Sequence, residues 1–211
     1  MAQYFEIHRD NPQHRLLQKA ADLLLGGELL AVPTDASYVL IAPLGNKQAL
    51  DHLRRIRQID DKQLLSIMCR DLSEIATYAK INNHQYRQLR SATPGPYVFI
   101  LEATREVPRK LAHPSRKTVG LRIPDHPATL ALIECVGEPV IASTLQLPQD
   151  DFPMTDPEEI LERLDKLIGG VVACGHGSIK PSTVLDMTEV PVRLVRQGQG
   201  DLSLFPELEE T

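Results

Sequence analysis

The sequence lacks the short signatures of the common nucleotide-binding and hydrolytic folds. Its 211 residues contain no Walker-type phosphate loop, no G-x-G-x-x-G fingerprint, no H-E-x-x-H pair and no G-x-S-x-G elbow. Its three cysteines, Cys69, Cys135 and Cys174, lie far apart and form no C-x-x-C pair. These absences argue against a P-loop enzyme, a zinc protease, a zinc ribbon and a disulfide framework.

Long apolar runs are also missing. The first eleven residues include Glu6, His8, Arg9 and Asp10, and no later stretch is long enough to span a bilayer. We therefore expect a cytoplasmic protein without membrane contact. With 42% hydrophobic and 24% charged residues, the composition is ordinary for one large domain.

Histidines and aromatic residues give few functional signals. His113, His126 and His176 have no metal-like spacing, so we expect structural or surface roles and no resident metal. Aromatic residues make up only 4% of the chain, which gives little material for stacking on nucleobases.

The charge of the chain is unevenly distributed. The formal net charge is -5, but residues 51–125 carry fourteen Lys or Arg against eight Asp or Glu, so the rest of the chain is strongly acidic. A basic middle between acidic segments suits a surface that binds polyanions. An accidental distribution of solvated charge gives the same count.

Strand and helix patterns alternate along the chain. Helices are predicted over residues 12–25, 46–57, 71–78, 82–91, 127–137 and 155–169, and strands over 29–32, 38–41, 64–69, 97–101, 118–123, 139–143, 171–173, 182–187 and 192–195. Several strands are joined too tightly for a crossover helix. The pattern predicts a single α/β domain with a twisted mixed sheet and flanking helices over residues 1–200, followed by a loose acidic tail over 201–211.

Polar side chains are concentrated where the strand at 29–32 ends. Pro33 interrupts the apolar run and is followed by Thr34, Asp35, Ser37 and Tyr38. Strand ends hold side chains beside a crevice in α/β proteins, so this stretch is a candidate binding element. The alternative is a plain turn in which these residues serve only as turn formers.

Two arginines stand near the end of the second helix. Arg55 and Arg57 are two positions apart, so they meet at one ligand only if the helix ends there, and Lys62 follows in the next loop. Guanidinium groups match phosphate oxygens bidentately. The alternative is a solvated last turn whose cations favour the helix dipole. Thr118 and Arg122 lie on one side of a later strand because side chains alternate there.

Six short motifs follow one another along the chain: Pro33-Thr-Asp35 with Tyr38, Arg55-Ile-Arg57, Pro94-Gly-Pro96, Gly120-Leu-Arg-Ile-Pro124, Pro181-Ser-Thr-Val-Leu-Asp186 and Arg196-Gln-Gly198. In this order, with Arg55-Ile-Arg57 as a version of Lys-x-Arg, they resemble the YrdC/YciO family, whose better known members are threonylcarbamoyl-AMP synthases. The resemblance covers nearly the whole chain. Residues 68–74 and 106–110 are more similar to the YciO branch than to the YrdC branch.

The resemblance implies a fold, a reaction and a set of site residues. The fold is a twisted mixed sheet around a concave basic surface. In the reaction, ATP with Mg²⁺, L-threonine and bicarbonate give threonylcarbamoyl-AMP for tRNA modification. The residues implied are Arg55 and Arg57 for catalysis; Arg55, Arg57, Thr118, Thr144, Gln146 and Arg196 for ATP; and Thr34, Ser37, Arg122, Ser143 and Ser182 for the amino acid.

Two departures from the family pattern leave other functions open. Arg55 replaces the lysine of Lys-x-Arg, and Thr144-Leu-Gln146 with Pro148-Gln149 replaces Ser-Ala-Asn and a Ser-Gly turn. These changes could re-shape or close the nucleotide pocket. The chain would then be a YciO-type protein that binds nucleotide, double-stranded RNA or tRNA without synthase activity, or one that acts on a related adenylate.

The RNA-binding alternative has its own candidate surface. It consists of basic residues from the middle of the chain: Arg54, Arg109, Lys110, Arg116 and Lys117. RNA helices are recognised mostly through backbone and shape, so a basic concavity suits them.

Overall fold

The computed structural model describes residues 1–60, 63 and 65–208. Within these residues the helices are α1 (His14–Leu25), α2 (Lys47–Arg57), α3 (Leu72–Tyr78), α4 (Asn83–Ala92), α5 (Pro127–Val136) and α6 (Pro157–Leu164). The strands are β1 (Gln3–Glu6), β2 (Leu30–Val32), β3 (Val39–Pro43), β4 (Ser66–Met68), β5 (Ala79–Lys80), β6 (Tyr97–Ala103), β7 (Thr118–Arg122), β8 (Val140–Thr144), β9 (Gly170–Ala173), β10 (Thr183–Asp186) and β11 (Arg193–Arg196).

Side-chain caps fix the beginnings of several helices. The Asn46 side chain accepts a hydrogen bond from the Ala49 N–H at the start of α2, 3.0 Å away. Asn82 and Gln85 form a reciprocal capping box at the start of α4. These local signals explain why the sequence pattern already places both helices.

The described strands form one mixed sheet. Ten of them lie in the order β1-β9-β2-β3-β8-β4-β7-β6-β10-β11, and β5 pairs with β6 beside this path. The pairs β1–β9, β9–β2, β4–β7 and β6–β10 are parallel, and the other pairs are antiparallel. The predicted single α/β domain with a mixed sheet is confirmed.

The two faces of the sheet are covered differently. One face packs along most of its width against α2, α3, α4 and α6 in a large apolar core. The other face packs against α1 and α5, whose apolar residues meet those of β1, β9, β2, β3 and β8. Beyond β8 and the end of β4, no described helix covers this second face.

The side chains of β6 divide between the large core and the uncovered part of the second face. Side chains alternate along β6, so Tyr97, Phe99 and Leu101 enter the large core while Val98 and Ile100 belong to a separate small cluster with Val184. We call the part of the second face under α1 and α5 the covered half. The remainder, over β7, β6, β10 and β11, is the open half.

The structure contains two strands that the sequence pattern does not reveal. β1 buries only Phe5 of its four residues, and β5 is two residues long. The strand predicted over 64–69 is β4, and its expected first residue, Leu64, lies outside the described residues, as does Lys62.

The acidic segment from Asp201 differs from the loose tail that we expect from its composition. It begins with a 3-10 turn, Leu202–Leu204, and Phe205 is 2% exposed. The Phe205 ring lies edge-on to Tyr97, with ring centroids 5.8 Å apart. The Phe205 ring, the Leu208 side chain and the Tyr97 hydroxyl, which donates to the Asp201 carbonyl at 3.0 Å, therefore hold this segment on the core.

Among the described residues, no helix has the length and apolar character needed to cross a membrane.

Candidate functional site

A cavity of about 630 Å³ lies on the open half of the sheet, a volume in the usual range for a small-molecule site. Successive neighbours in the sheet contribute to its wall: Ser143 and Thr144 from β8, Ser66 from β4, Thr118 and Arg122 from β7, Val98 and Ile100 from β6, Val184 from β10, and Val195 and Arg196 from β11. Arg57 and Ile59 reach it from the end of α2, and Ser182 lies just before β10.

Arg57 enters the cavity because α2 ends at that residue. Gln58 adopts the left-handed conformation with φ 49°, which turns the chain away from the helix axis. The Arg57 Nε then donates a hydrogen bond to Ser143 Oγ, 3.2 Å away on β8. Burial lowers the pKa of Arg57, and the negative charge of Asp150 opposes that shift.

Arg122 is held by the loop that follows β2. Its Nη2 forms an ion pair with Asp35 Oδ1 and donates to Thr34 Oγ1 at 3.1 Å. Arg122 is 2% exposed, and burial lowers its pKa while Asp35 opposes the shift. Two atoms of this pair, Arg122 Nε and Asp35 Oδ2, are buried without a hydrogen-bond partner in the structure.

The Thr34 hydroxyl is already fully engaged. It donates to the Ser37 carbonyl at 2.7 Å and accepts from the Ala36 N–H at 3.0 Å and from Arg122. A hydroxyl offers one proton and two lone pairs, so none is left for a ligand. Thr34 therefore positions Arg122, although the family resemblance implies direct contact with an amino acid.

Arg196 reaches the cavity from the last strand of the β10–β11 hairpin. Its Nε and Nη2 donate to the Ser182 carbonyl at 3.2 and 2.9 Å. Gly198 lets the chain come this close, because a Cβ there would lie 2.2 Å from the Pro181 carbonyl oxygen. Burial lowers the pKa of Arg196, and the positive charge of Arg122 lowers it further.

The lining of the cavity is cationic. It includes Arg57, Arg116, Arg122 and Arg196, and the lining residues that the structure describes include no Asp or Glu. Three of these guanidinium groups pay a burial cost that a bound anion would offset. The site is therefore suited to a ligand with several negative charges.

One wall of the cavity is apolar. Val98, Ile100 and Val184 face it from the parallel strands β6 and β10, with Val195 beside them on β11. Apolar walls beside guanidinium groups suit a ligand that has both a flat ring and an anionic part.

A second cavity of about 580 Å³ adjoins the first and shares Arg116 and Thr118 with it. Its other lining residues include Glu102, Asp186 and Arg193. Asp186 is engaged there, since it accepts from Thr188 and pairs with Arg193 at 3.1 Å.

The structure separates several residues that the sequence analysis groups together. Of the implied site residues, those in the cavity lining are Arg57, Thr118, Arg122, Ser143, Thr144, Ser182 and Arg196. Arg55 is exposed on α2 and outside that lining, so the two arginines of the motif do not converge. Ser37, 1% exposed, and Thr34 lie behind Arg122 in the loop after β2.

Gln146 is also outside the cavity lining. Its Nε2 donates to the Asp150 carbonyl at 2.9 Å, which folds residues 146–150 into a closed turn. Arg163 of α6 anchors this turn through an ion pair with Asp150 at 2.8 Å. The side chain that replaces the family's asparagine therefore holds its own loop.

One of the residues expected at the RNA-binding surface, Arg54, is buried. Arg54 is 8% exposed, and its Nη2 donates to the Lys110 carbonyl at 2.8 Å, so it does not belong to the surface. Arg109, Lys110, Arg116 and Lys117 are exposed. Lys110 lies 3.4 Å from Asp51 on α2, so this basic loop and α2 form one rim beside the cavity.

Two residues have roles at the site that their sequence pattern does not reveal. His113 lines the cavity, and its Nδ1 accepts hydrogen bonds from the Ser115 and Arg116 N–H groups at 3.3 and 3.1 Å. Asp35 is the ion-pair partner of Arg122, 87 positions away in sequence. No local pattern could give that pairing, although Asp35 stands in one of the six motifs.

The geometry defines a class of protein: an α/β protein with a mixed sheet whose open half carries an arginine-lined anion cavity. The chain belongs to the family of Sua5, YciO and YrdC proteins, because the family model, described as telomere recombination, matches residues 22–198. The predicted family is thereby confirmed.

Relatives of the chain support the same assignment. The uncharacterised protein YciO of Escherichia coli K12 is 42% identical over 205 residues, which are 97% of this chain and 100% of YciO. The crystal structure of E. coli YciO matches with a TM-score of 0.93 over the same shares of both chains.

More distant relatives include a putative threonylcarbamoyl-AMP synthase of Methanocaldococcus jannaschii, 25% identical over 197 residues, 92% of this chain and 90% of that protein. The structure of P. abyssi Sua5 complexed with L-threonine shares the fold, with a TM-score of 0.91 at 24% identity over 100% of this chain and 63% of that chain.

Proposed function

We propose that this protein binds ATP and an amino acid in the open-half cavity and forms threonylcarbamoyl-AMP from ATP, L-threonine and bicarbonate. The observation that carries the proposal is the lining itself, with four arginines and, among the described residues, no carboxylate. The name of the M. jannaschii relative supports the choice of reaction.

ATP fits the division of the cavity into an apolar wall and a cationic side. The adenine would lie against Val98, Ile100 and Val184, within reach of the Thr118 and Thr144 hydroxyls. The triphosphate would lie between Arg57 and Arg196, whose guanidinium groups can each bind two phosphate oxygens. Arg55 has no contact with ATP in this arrangement.

The amino acid would bind at Arg122. Its carboxylate would meet the guanidinium, which Asp35 and Thr34 hold from behind. Ser143 and Ser182 lie in the same lining and offer hydroxyl groups. The negative charge of Asp35 leaves the Arg122 pair close to neutral, so one added carboxylate is accommodated more easily than a polyphosphate.

The chemistry requires positioning more than a nucleophilic side chain. The threonine nitrogen attacks bicarbonate and water leaves, which gives a carbamate. A carbamate oxygen then forms a bond to the α-phosphorus of ATP, while the bond from that phosphorus to pyrophosphate breaks. Arg57 and Arg196 would neutralise the charge that develops on the leaving pyrophosphate.

Mg²⁺ would enter as part of the ATP substrate. Among the described residues, no group of three or more His, Cys, Asp and Glu side chains is arranged to hold a metal ion. The cavity lining therefore does not fit a resident Mg²⁺ site, and no step of the proposed reaction depends on protein ligands to a metal.

The test is a product assay with ATP, Mg²⁺, L-threonine and ¹³C-bicarbonate. Pyrophosphate is quantified, and threonylcarbamoyl-AMP carrying the ¹³C label is identified by mass spectrometry. We expect product only when all three substrates are present, and at least about tenfold less with Arg57→Ala. Arg55→Ala is the matched control. ATP binding without pyrophosphate release would refute the synthase.

A second candidate function is binding of double-stranded RNA or tRNA without synthesis. It is favoured by the exposed basic rim of Arg109, Lys110, Arg116 and Lys117 beside the cavity. Phosphate contacts make RNA affinity fall steeply with salt. Arg109→Ala with Lys117→Ala should weaken RNA binding and flatten its salt dependence, while Lys80→Ala, on an exposed pair with Glu102, should change neither.

A further inference from the structure

A buried hydroxyl on α5 contacts the loop that holds Arg122. Thr129 is 0% exposed, and its Oγ1 donates to the Pro33 carbonyl at 2.6 Å. Pro33 immediately precedes Thr34, whose hydroxyl accepts from Arg122 at 3.1 Å. Two hydrogen bonds and one peptide unit thus connect a helix of the covered half to the guanidinium in the cavity.

Thr129 is itself fixed by the start of α5. The Nδ1 of His126 accepts a hydrogen bond from the Thr129 N–H at 3.3 Å and lies 3.1 Å from Thr129 Oγ1. Pro127 occupies the first turn of the helix. These contacts within α5 therefore fix the direction of the Thr129 hydroxyl towards the loop after β2.

Several residues next to Thr129 on α5 are apolar. Its neighbours on α5, Ala128, Leu132 and Ile133, belong to the apolar core under the covered half. A valine has nearly the same shape and would avoid the cost of burying a polar group there. Besides its 3.1 Å contact with His126 Nδ1, the hydroxyl has the bond that it donates to the Pro33 carbonyl.

Among the described residues, backbone hydrogen bonds from outside the loop hold its far side. The Ser178 N–H donates to the Ala36 carbonyl at 3.1 Å, and the Leu145 N–H donates to the Tyr38 carbonyl at 2.9 Å. Both act beyond Asp35. On the side of the loop nearer to Arg122, the Pro33 carbonyl accepts its hydrogen bond from Thr129 of α5.

We infer that Thr129 is a positioning residue for the amino-acid end of the site, which sets Arg122 through Pro33 and Thr34. It touches neither substrate nor cavity. This inference rests on the proposed function for its ligand, because Arg122 is taken to bind a carboxylate. The positioning itself is independent of that ligand.

The test compares Thr129→Val, Thr129→Ser and Val136→Ala with the unmodified protein. Thr129→Val replaces the hydroxyl with a methyl group, Thr129→Ser keeps the hydroxyl and removes the methyl group, and Val136→Ala weakens the packing of the same helix elsewhere. L-threonine and ATP affinities are measured by calorimetry. The ¹⁵Nε–¹H signal of Arg122, assigned with Arg122→Lys, reports the guanidinium directly.

Thr129→Val should weaken L-threonine binding about tenfold, change ATP binding less than about twofold and shift the Arg122 signal. Thr129→Ser should restore all three readouts. Val136→Ala should lower Tm without moving either the threonine affinity or the signal. An unchanged Arg122 signal in Thr129→Val, or an equal change in Val136→Ala, would overturn the inference.

Failure of the proposed function gives a different result. If the unmodified protein binds no L-threonine, the assignment of that ligand to Arg122 is wrong. The Arg122 signal in Thr129→Val and Thr129→Ser still decides whether Thr129 positions the guanidinium.

Discussion

The covered and open halves of one sheet face are built by the same strand alternation and carry opposite chemistry. Under α1 and α5 the inward residues are apolar, as with Leu30, Val32 and Val172. Over β7, β6, β10 and β11 the same face presents Thr118, Arg122 and Arg196 beside a small apolar cluster. The presence or absence of a covering helix therefore decides which half is closed into the core and which half contains an open, arginine-lined cavity.

The largest expected effect comes from removing the buried charge of Arg122 at the edge of the open half. Arg122→Met leaves Asp35 without its ion-pair partner. We expect the free energy of unfolding to fall by about 3–5 kcal/mol, because an uncompensated buried charge remains. Urea denaturation measures the loss.

The control for this prediction is the double variant Arg122→Met with Asp35→Asn. It removes both charges, so most of the lost stability should return. Equal stability of the single and double variants would show that the Asp35 contact has no energetic role.

The next effect concerns α5, one of the two helices over the covered half. Burial lowers the pKa of His126 from 6.5 to about 4. The unfolded chain therefore binds this proton more readily than the folded protein. Neutral His126 makes its full contribution to the free energy of unfolding above about pH 6.5. This contribution, about 3 kcal/mol in all, is lost as the pH falls towards 4.

His126→Asn isolates that contribution. Asparagine keeps a side-chain acceptor for the start of α5 but does not titrate. Denaturation curves at pH 7, 5.5 and 4.5 should show a smaller loss of stability for the variant than for the unmodified protein. Identical pH dependence would contradict the assignment.

A pair of equal truncations compares the two halves directly. Val172 lies in β9 under α1 and α5, and Val184 lies in β10 and faces the cavity; both strands have at least one parallel neighbour. Val172→Ala should cost about 2 kcal/mol because it leaves an enclosed void. Val184→Ala should cost less than about 1 kcal/mol, since the cavity is already there. Thermal denaturation measures both losses of stability. A larger loss for Val184→Ala than for Val172→Ala would contradict the comparison of the two halves.

The smallest effect in free energy distinguishes Arg55 from Arg57, two positions apart on α2. Arg57→Ala should weaken ATP binding about tenfold, because one charge-assisted phosphate contact is lost. Arg55→Ala should change it less than about threefold, since Arg55 is exposed outside the cavity. Calorimetric titration at one fixed salt concentration distinguishes them. Equal losses would place the phosphates on the outer rim instead.

Local signals in the sequence are sufficient for most elements of this fold. Capping by Asn46 and Asn82 and the apolar periodicity of α1 predict helices that the structure contains. β1 has only one buried residue, and β5 exists because β6 is long enough to pair with it, so neither has a period that a sequence pattern can detect.

The candidate site is less predictable because its geometry is not local. The resemblance to the family names Arg57, Arg122 and Arg196, but it gives no distances between them. Arg54 is buried and Arg55 exposed because the two residues lie on different faces of α2, and the left-handed Gln58 turns the chain after Arg57. The Arg122–Asp35 pair and the turn closed by Gln146 depend on tertiary contacts.

The central claim is that the open half of the sheet is the ligand site, and diffraction from crystals of the protein with ATP tests it most directly. The account predicts density for the triphosphate within hydrogen-bonding distance of Arg57 and Arg196, with the adenine against Val98, Ile100 and Val184. Density for ATP at the basic rim of Arg109 and Lys117, with this cavity empty, would contradict it.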